Sequence, residues 1–157
     1  MKLRTAHRDG RRGTTIVEMA FVLPVFLFFV FALIEFGHAQ MVNNVLRSAC
    51  RAGARLGSTQ GQTATSVESH VRQVLSGAVD VNAVEVFVKD GSSFDAGSSV
   101  PTQQSGFEAL PDVNLQDAEP RQLFLVRAKV NYNDIALVPM PFMSGVVLQG
   151  QAFMRHE

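Results

Sequence analysis

From Met19 to Ile34 the chain reads MAFVLPVFLFFVFALI, sixteen residues without a polar side chain, and this run limits what the whole sequence can fold into. Extended to Ile16 and Phe36 it reaches 21 residues. As a helix rising about 1.5 Å per residue it would be roughly 31 Å long, close to the hydrocarbon thickness of a bilayer. A core helix this uniformly apolar needs protein on every side. The rest of a 157-residue chain is mostly polar and too short to surround it. A membrane-spanning helix is therefore expected. Six of the twelve phenylalanines lie between Phe21 and Phe36, so the remaining residues must build a core from less.

Two residues depart from a plain anchor. Pro24 lacks a backbone donor and predicts a kink or local break about one third of the way along. Glu18 lies near one margin of the apolar stretch, where a carboxylate either snorkels to the headgroups or meets a counter-charge. Glu35, at the other margin, is expected at the interface.

Charge is distributed unevenly although the formal net charge is zero. Lys2, Arg4, Arg8, Arg11 and Arg12 precede the helix against Asp9 alone, which favours a cytoplasmic N-terminus. Arg47, Arg51 and Arg55 follow it, a weaker opposing flank. Residues 80–119 carry eight acids against Lys89. A cleavable secretory signal is the competing reading, with Gly37-His38-Ala39 before Gln40 as its cleavage pattern. The apolar run exceeds the usual length of about 7–15 residues for such a segment, and Pro24 and Glu18 sit awkwardly inside one.

Beyond the membrane the helical pattern continues to Leu56, with Val42, Val45, Leu46, Ala49, Gly53 and Leu56 at spacings of three and four. Ala49, Ala52 and Gly53 would allow close helix packing. Arg47, Arg51 and Arg55, each four apart, form another face, suited to headgroups, to a partner's acids or simply to solvent. Gly57 suits a helix end. Thr63 to Ser76 predicts a second amphipathic helix, and Asn82 to Lys89 a strand with Val84, Val86 and Val88 on one face. Residues 91–121, rich in Ser, Gly, Pro and acids, read as a long, partly mobile loop. Gln122 to Asn133 is the best strand, with Phe124, Val126, Ala128, Val130 and Tyr132 alternating with Leu123, Leu125, Arg127, Lys129 and Asn131, and Val146 to Arg155 gives a third strand.

The expected fold class is α+β. A long N-terminal transmembrane helix continues as a stalk, followed by a small domain with a short helix and an antiparallel sheet. The divisions are a basic cytoplasmic leader at 1–13, a transmembrane helix at 14–36, a helical stalk at 37–57 and an extracytoplasmic domain at 58–157.

Few residues suggest chemistry. His7, His38, His70 and His156 are not at metal-ligand spacing, and neither a phosphate loop nor a nucleophile elbow is present. Asp112, Asp117 and Glu119 lack EF-hand spacing and read as solvated loop acids. Cys50 is the sole cysteine, which excludes an intrachain disulfide and reads as a small apolar residue on a helix face. Arg11-Arg12 reads as a topogenic flank. No enzyme, cofactor, metal or nucleic-acid partner is expected.

Arg11-Arg12-Gly13-Thr14-Thr15-Ile16-Val17-Glu18 has the pattern of a type IV prepilin junction: a basic leader, a glycine, four residues, a glutamate, then the apolar helix. With Val17-Glu18-Met19-Ala20, Leu23-Pro24, Glu35-Phe36-Gly37 and Ala49 to Arg55, the first 55 residues resemble TadE-like proteins of tight-adherence (Flp) pilus systems. Phe153-Met154-Arg155-His156-Glu157 is similar to that family's C-terminal strand. Where the family often has an acid, this chain has Ala52.

The resemblance implies a minor pilin-like protein or pseudopilin of a bacterial inner membrane, with its C-terminal domain extracytoplasmic. Its implied partners are the lipid bilayer, other pilin or pseudopilin subunits, the pilus assembly machinery and a prepilin peptidase that cuts between Gly13 and Thr14. Glu18, four residues above the new amine at Thr14, would then act as an assembly acid toward a neighbouring subunit. The alternative is a membrane-anchored extracytoplasmic binding module unrelated to pili. A secreted domain or an anchored enzyme is a third reading.

Overall fold

The computed structural model describes residues 10–101 and 103–157, with the side chains of 10–12 and 104 excluded. Positions 1–9 of the expected leader, and the Arg11 and Arg12 side chains, thus lie outside the described residues. The chain divides into two compact units, Met1–Gly37 and His38–Glu157.

One helix, α1 (Gly10–Gly57), supplies the described part of the first unit and enters the second. Pro24 lies inside it without breaking it. The backbone therefore tolerates the missing donor, and the local break expected from sequence is absent. The apolar stretch is open to its surroundings, with Ile16 70%, Phe21 75% and Val25 69% exposed. A window of 18 residues has a mean hydropathy of 2.6, and none of it is buried. Among the described residues this is the one helix long and apolar enough to cross a membrane. Glu35, expected at the interface, is buried.

The second unit is built around a three-stranded antiparallel sheet, ordered β1 (Val84–Asp90), β2 (Leu123–Asn131), β3 (Val147–Arg155). Val86 faces Ala128, and Ala128 in turn faces Gly150. On β2 the alternation read from sequence does not carry over to burial, since Leu125 and Arg127 are covered as well; Phe124, Val126, Ala128, Val130 and Tyr132 are all buried. They join a core to which α1 contributes Val42, Leu46, Ala49, Cys50 and Ala54. The segment expected as a stalk is thus helical, and its apolar face is part of the domain core.

α2 (Ala64–Leu75) adds Val67, Val71 and Leu75 to this core. Its start is fixed by a capping box, in which the Ser66 amide donates to Thr63 Oγ1 at 3.0 Å and the Thr63 amide to Ser66 Oγ at 3.1 Å. Near its other end Arg72 Nη1 donates to the carbonyls of Val81 and Val84, both at 2.8 Å, which ties α2 to the start of β1.

Glycine sets the closest approaches. A Cβ on Gly150 would stand 2.5 Å from the Arg47 amide nitrogen and closer still to the Leu46 carbonyl carbon, so β3 touches the α1 backbone here. A Cβ on Gly53 would overlap a Val71 methyl, and one on Gly57 would lie 3.1 Å from the Phe124 ring. The small residues of α1 therefore serve packing against α2 and the sheet.

Residues 91–121 hold more structure than their composition suggests. They contain two short helices, α3 (Ser92–Asp95) and α4 (Gln104–Glu108), and a bridge between Asp112 and Lys89. Phe107, Val113 and Leu115 are buried. Ion pairs fasten the segment to the sheet: Asp95 receives two bonds from Arg155, at 2.8 and 2.9 Å, and Asp112 pairs with Lys89 at 2.7 Å. The Phe94 ring stands edge-on to Phe153, with centroids 5.8 Å apart.

Candidate functional site: an arginine-lined cleft

The residues singled out by sequence fall into two groups on α1. Gly13, Thr14, Glu18 and Pro24 belong to the first unit, where the side chains of Thr14, Glu18 and Pro24 are exposed. A Cβ on Gly13 would meet nothing within 4 Å. Thr14 and Glu18 are four apart in continuous helix and share a face.

Arg47, Arg51 and Arg55 belong to the second unit, and all three are exposed. The structure separates them. Arg47 and Arg51 line a cleft of about 430 Å³ together with Arg127 of β2, while Arg55 is not part of its wall. Gln149 and Gln151 of β3 and Phe107 of α4 complete the polar and aromatic wall, and Val100 and Pro101 supply an apolar side.

Sheet register explains why Arg127 meets the glutamines. Arg127 pairs directly with Gln151, and its neighbour two residues along, Lys129, pairs with Gln149, so all four side chains share one face. Arg127 Nη1 donates to Gln151 Oε1 at 2.8 Å, and Nη2 donates to Gln149 Oε1. The guanidinium carbon lies 4.1 Å from the centre of the Phe107 ring, a cation–π arrangement. Arg127 is only 3% exposed, and its Nε is buried without a hydrogen-bond partner. Burial lowers its pKa, an effect partly offset by the charge of Glu108 and by Cys50.

Lys129 is paired differently. Its ammonium lies 2.7 Å from Glu108 and 3.0 Å from Glu85, and the Glu108 hydrogen bond chiefly raises its pKa. The nearby carboxylates are thus engaged by Lys129, and among the described residues no acid lines the cleft.

Cys50 lies behind this region and is fully buried, well past the apolar stretch of α1. Burial pushes its thiol up to about 12, against opposing contributions from a hydrogen bond at the Ala128 backbone and from Arg127 and Arg51. The thiol is therefore protonated at neutral pH and poorly suited to nucleophilic chemistry. Among the described residues no group of three or more His, Cys, Asp and Glu is placed to hold a metal.

Sequence reading identified Arg47 and Arg51 but missed Arg127, Gln149, Gln151 and Phe107. The available signal was the strand alternation, which places Arg127 opposite the apolar set. Its burial depends on Phe107, which belongs to a segment without periodicity.

An exposed apolar helix of bilayer length, joined in sequence to an α+β unit, defines a protein of the single-pass, membrane-anchored class. Residues 13–55 match the model of the TadE-like protein family, the family whose motifs run from Gly13 to Arg55. The match lies wholly on α1, and residues 56–157 fall outside it. It ties this segment to pilus-associated, tight-adherence systems in general. No curated protein and no solved structure matches the chain.

Within that matched segment, Ala49, Gly53 and Ala54 are buried, while Arg51 reaches the cleft. The Ala49–Arg55 motif in this chain is therefore a packing strip that also presents a cation.

Proposed function

We propose that the protein is a minor pilin-like component of a tight-adherence pilus assembly or secretion system, acting through helix and domain contacts and not as an enzyme. It sits in the bacterial inner membrane with its N-terminus cytoplasmic and residues 38–157 extracytoplasmic. The observation that carries this reading is the coincidence of the TadE-like match with the exposed apolar helix.

In this proposal a prepilin peptidase cuts between Gly13 and Thr14. Gly13 supports the assignment because it carries no Cβ to obstruct a protease cleft. The cut creates an α-amino group on Thr14. In a bundle of such helices, Glu18 of one subunit meets the Thr14 amine of its neighbour, and each charge compensates the other where solvation is poor. An acid that is costly alone thereby sets the register on assembly. Pro24 bends the helix within the membrane.

N-terminal sequencing of the mature protein tests the processing step, with Thr14 as the expected first residue. A start at Met1 would leave an uncut anchor, and a start at Gln40 would mean a secreted domain. Glu18→Ala is expected to abolish pilus assembly while membrane insertion stays normal. Unchanged piliation in that variant would reduce the helix to a simple anchor.

A further inference from the structure

The geometry points to the cleft of Arg47, Arg51 and Arg127 as a binding site for a phosphate group carrying an organic substituent. This inference concerns the folded 38–157 unit and holds whether or not the chain joins a pilus.

Charge is the first argument. Three guanidiniums from two different elements line one cleft, and among the described residues no carboxylate is in its walls. Arg127 is the more telling of them. An arginine buried to this degree ordinarily has an acidic partner, because removing an unpaired charge from water is expensive. Here its hydrogen-bond partners are two neutral carboxamides and its stacking partner a phenyl ring. Glu108, the acid whose charge it feels, is held 2.7 Å from Lys129. The fold thus keeps a cation covered, oriented and without a paired acid in the cleft.

Donor polarity is the second argument. Gln149 and Gln151 both accept from Arg127 through Oε1, which leaves their carboxamide nitrogens as the groups still able to bond. Guanidinium N–H groups only donate. The polar wall is therefore rich in donors and suited to an acceptor-only group.

Size and charge then select the class. A phosphate monoester carries a charge of about −1.5 to −2 at neutral pH and three acceptor oxygens, which matches three arginines better than the single charge of a carboxylate. The cleft, at about 430 Å³, is roomier than a bare ion needs, and Val100 and Pro101 offer an apolar surface to the organic part. The same chemistry is available from a soluble phosphate monoester or from the monoester headgroup of phosphatidic acid.

Equilibrium dialysis of the full chain in phosphatidylcholine nanodiscs against labelled glycerol 3-phosphate tests the proposal. Saturable uptake is expected, weakened at least tenfold by Arg51→Gln or Arg47→Gln and unchanged within twofold by Arg55→Gln, which removes a charge from the same helix outside the cleft. Arg127→Gln is expected to abolish uptake. Should that variant fail to fold, the two exposed arginines still decide the outcome. Phosphatidic acid added to the discs identifies the source. Suppressed uptake means that a headgroup fills the site, and unchanged uptake means that it takes soluble esters. Absence of saturable uptake would overturn the proposal, as would equal uptake by Arg51→Gln and Arg55→Gln. So would acetate or a glutamate-bearing peptide binding as tightly as glycerol 3-phosphate, which would assign the cleft to carboxylates.

Discussion

Along α1, residues 16–36 leave Phe21, Val25 and Phe29 open to their surroundings, whereas residues 38–57 keep Val42, Leu46, Ala49 and Cys50 fully covered. Both stretches are helical and both carry apolar side chains, yet the way those side chains are arranged differs. In the first they occupy every side of the helix. In the second they form a stripe, with Arg47, Arg51 and Arg55 on the opposite side. An apolar circumference suits lipid, which solvates all sides alike, and a stripe suits a sheet, which covers one. One secondary-structure element thus carries two solvent codes, and the change occurs near Gly37.

The largest test of the contrast lies where β3 meets α1. Gly150→Val would drive a branched side chain into the Leu46–Arg47 backbone, which cannot rotate away. The expected loss is about 3 kcal/mol or more, at the upper end of what overpacking costs. The urea midpoint of the 38–157 unit, read by pulse labelling of the buried Cys50 thiol, measures it. A midpoint within error of wild type would show that the helix and strand are not in contact.

Leu46→Ala and Phe29→Ala compare the two stretches directly. Leu46 is fully buried, and its truncation should cost about 3 kcal/mol in the same assay. Phe29 is 59% exposed, and its truncation should move the midpoint by less than about 0.5 kcal/mol despite the larger side chain. Equal effects would erase the distinction between the stretches.

A smaller difference is expected between two glycines. At Gly53 an added methyl would overlap Val71, a side chain stiff at its first torsion, so Gly53→Ala should destabilise by about 1–2 kcal/mol. At Gly37 an added methyl meets nothing within 4 Å, and Gly37→Ala should raise helix stability by a few tenths to about 1 kcal/mol. Opposite signs in thermal unfolding followed by circular dichroism would place the change of code between these positions.

Much of this was legible from residues alone. The continuous apolar run, the valine alternation from Val84 to Val88 and the amphipathic pattern after Thr63 are local patterns, and local patterns have one structural solution each. The 91–121 segment was harder. Phe107, Val113 and Leu115 lie among Ser, Gly, Pro and acids at no regular spacing, so their burial depends on the sheet face that they cover. The arginine row was half legible. Its four-residue spacing predicts a common face, but the split between Arg51 and Arg55 depends on β3 arriving at Gly150. Arg127 enters the cleft through a pairing with Gln151, 24 residues away, that no local rule specifies.

Cys50 offers the last and finest probe of the covered stretch. Its thiol is pushed up to about 12 by burial, against 9.0 for the exposed group. The folded state therefore holds the proton more tightly than the unfolded state does. Below pH 9 both states keep the proton, and the full contribution of the neutral thiol to stability is present. Between about 9 and about 12 the unfolded chain loses its proton first, so stability falls as pH rises. By pH 10 the loss is about 1 kcal/mol, since one pKa unit corresponds to about 1.4 kcal/mol. Other groups also titrate there, so the informative quantity is the difference from Cys50→Ala, whose stability should decline less steeply between pH 9 and 10 in urea titrations read by circular dichroism. Parallel pH profiles for the two proteins would mean that water reaches the thiol in the folded state. This face of α1 would then be no better covered than the apolar stretch before it.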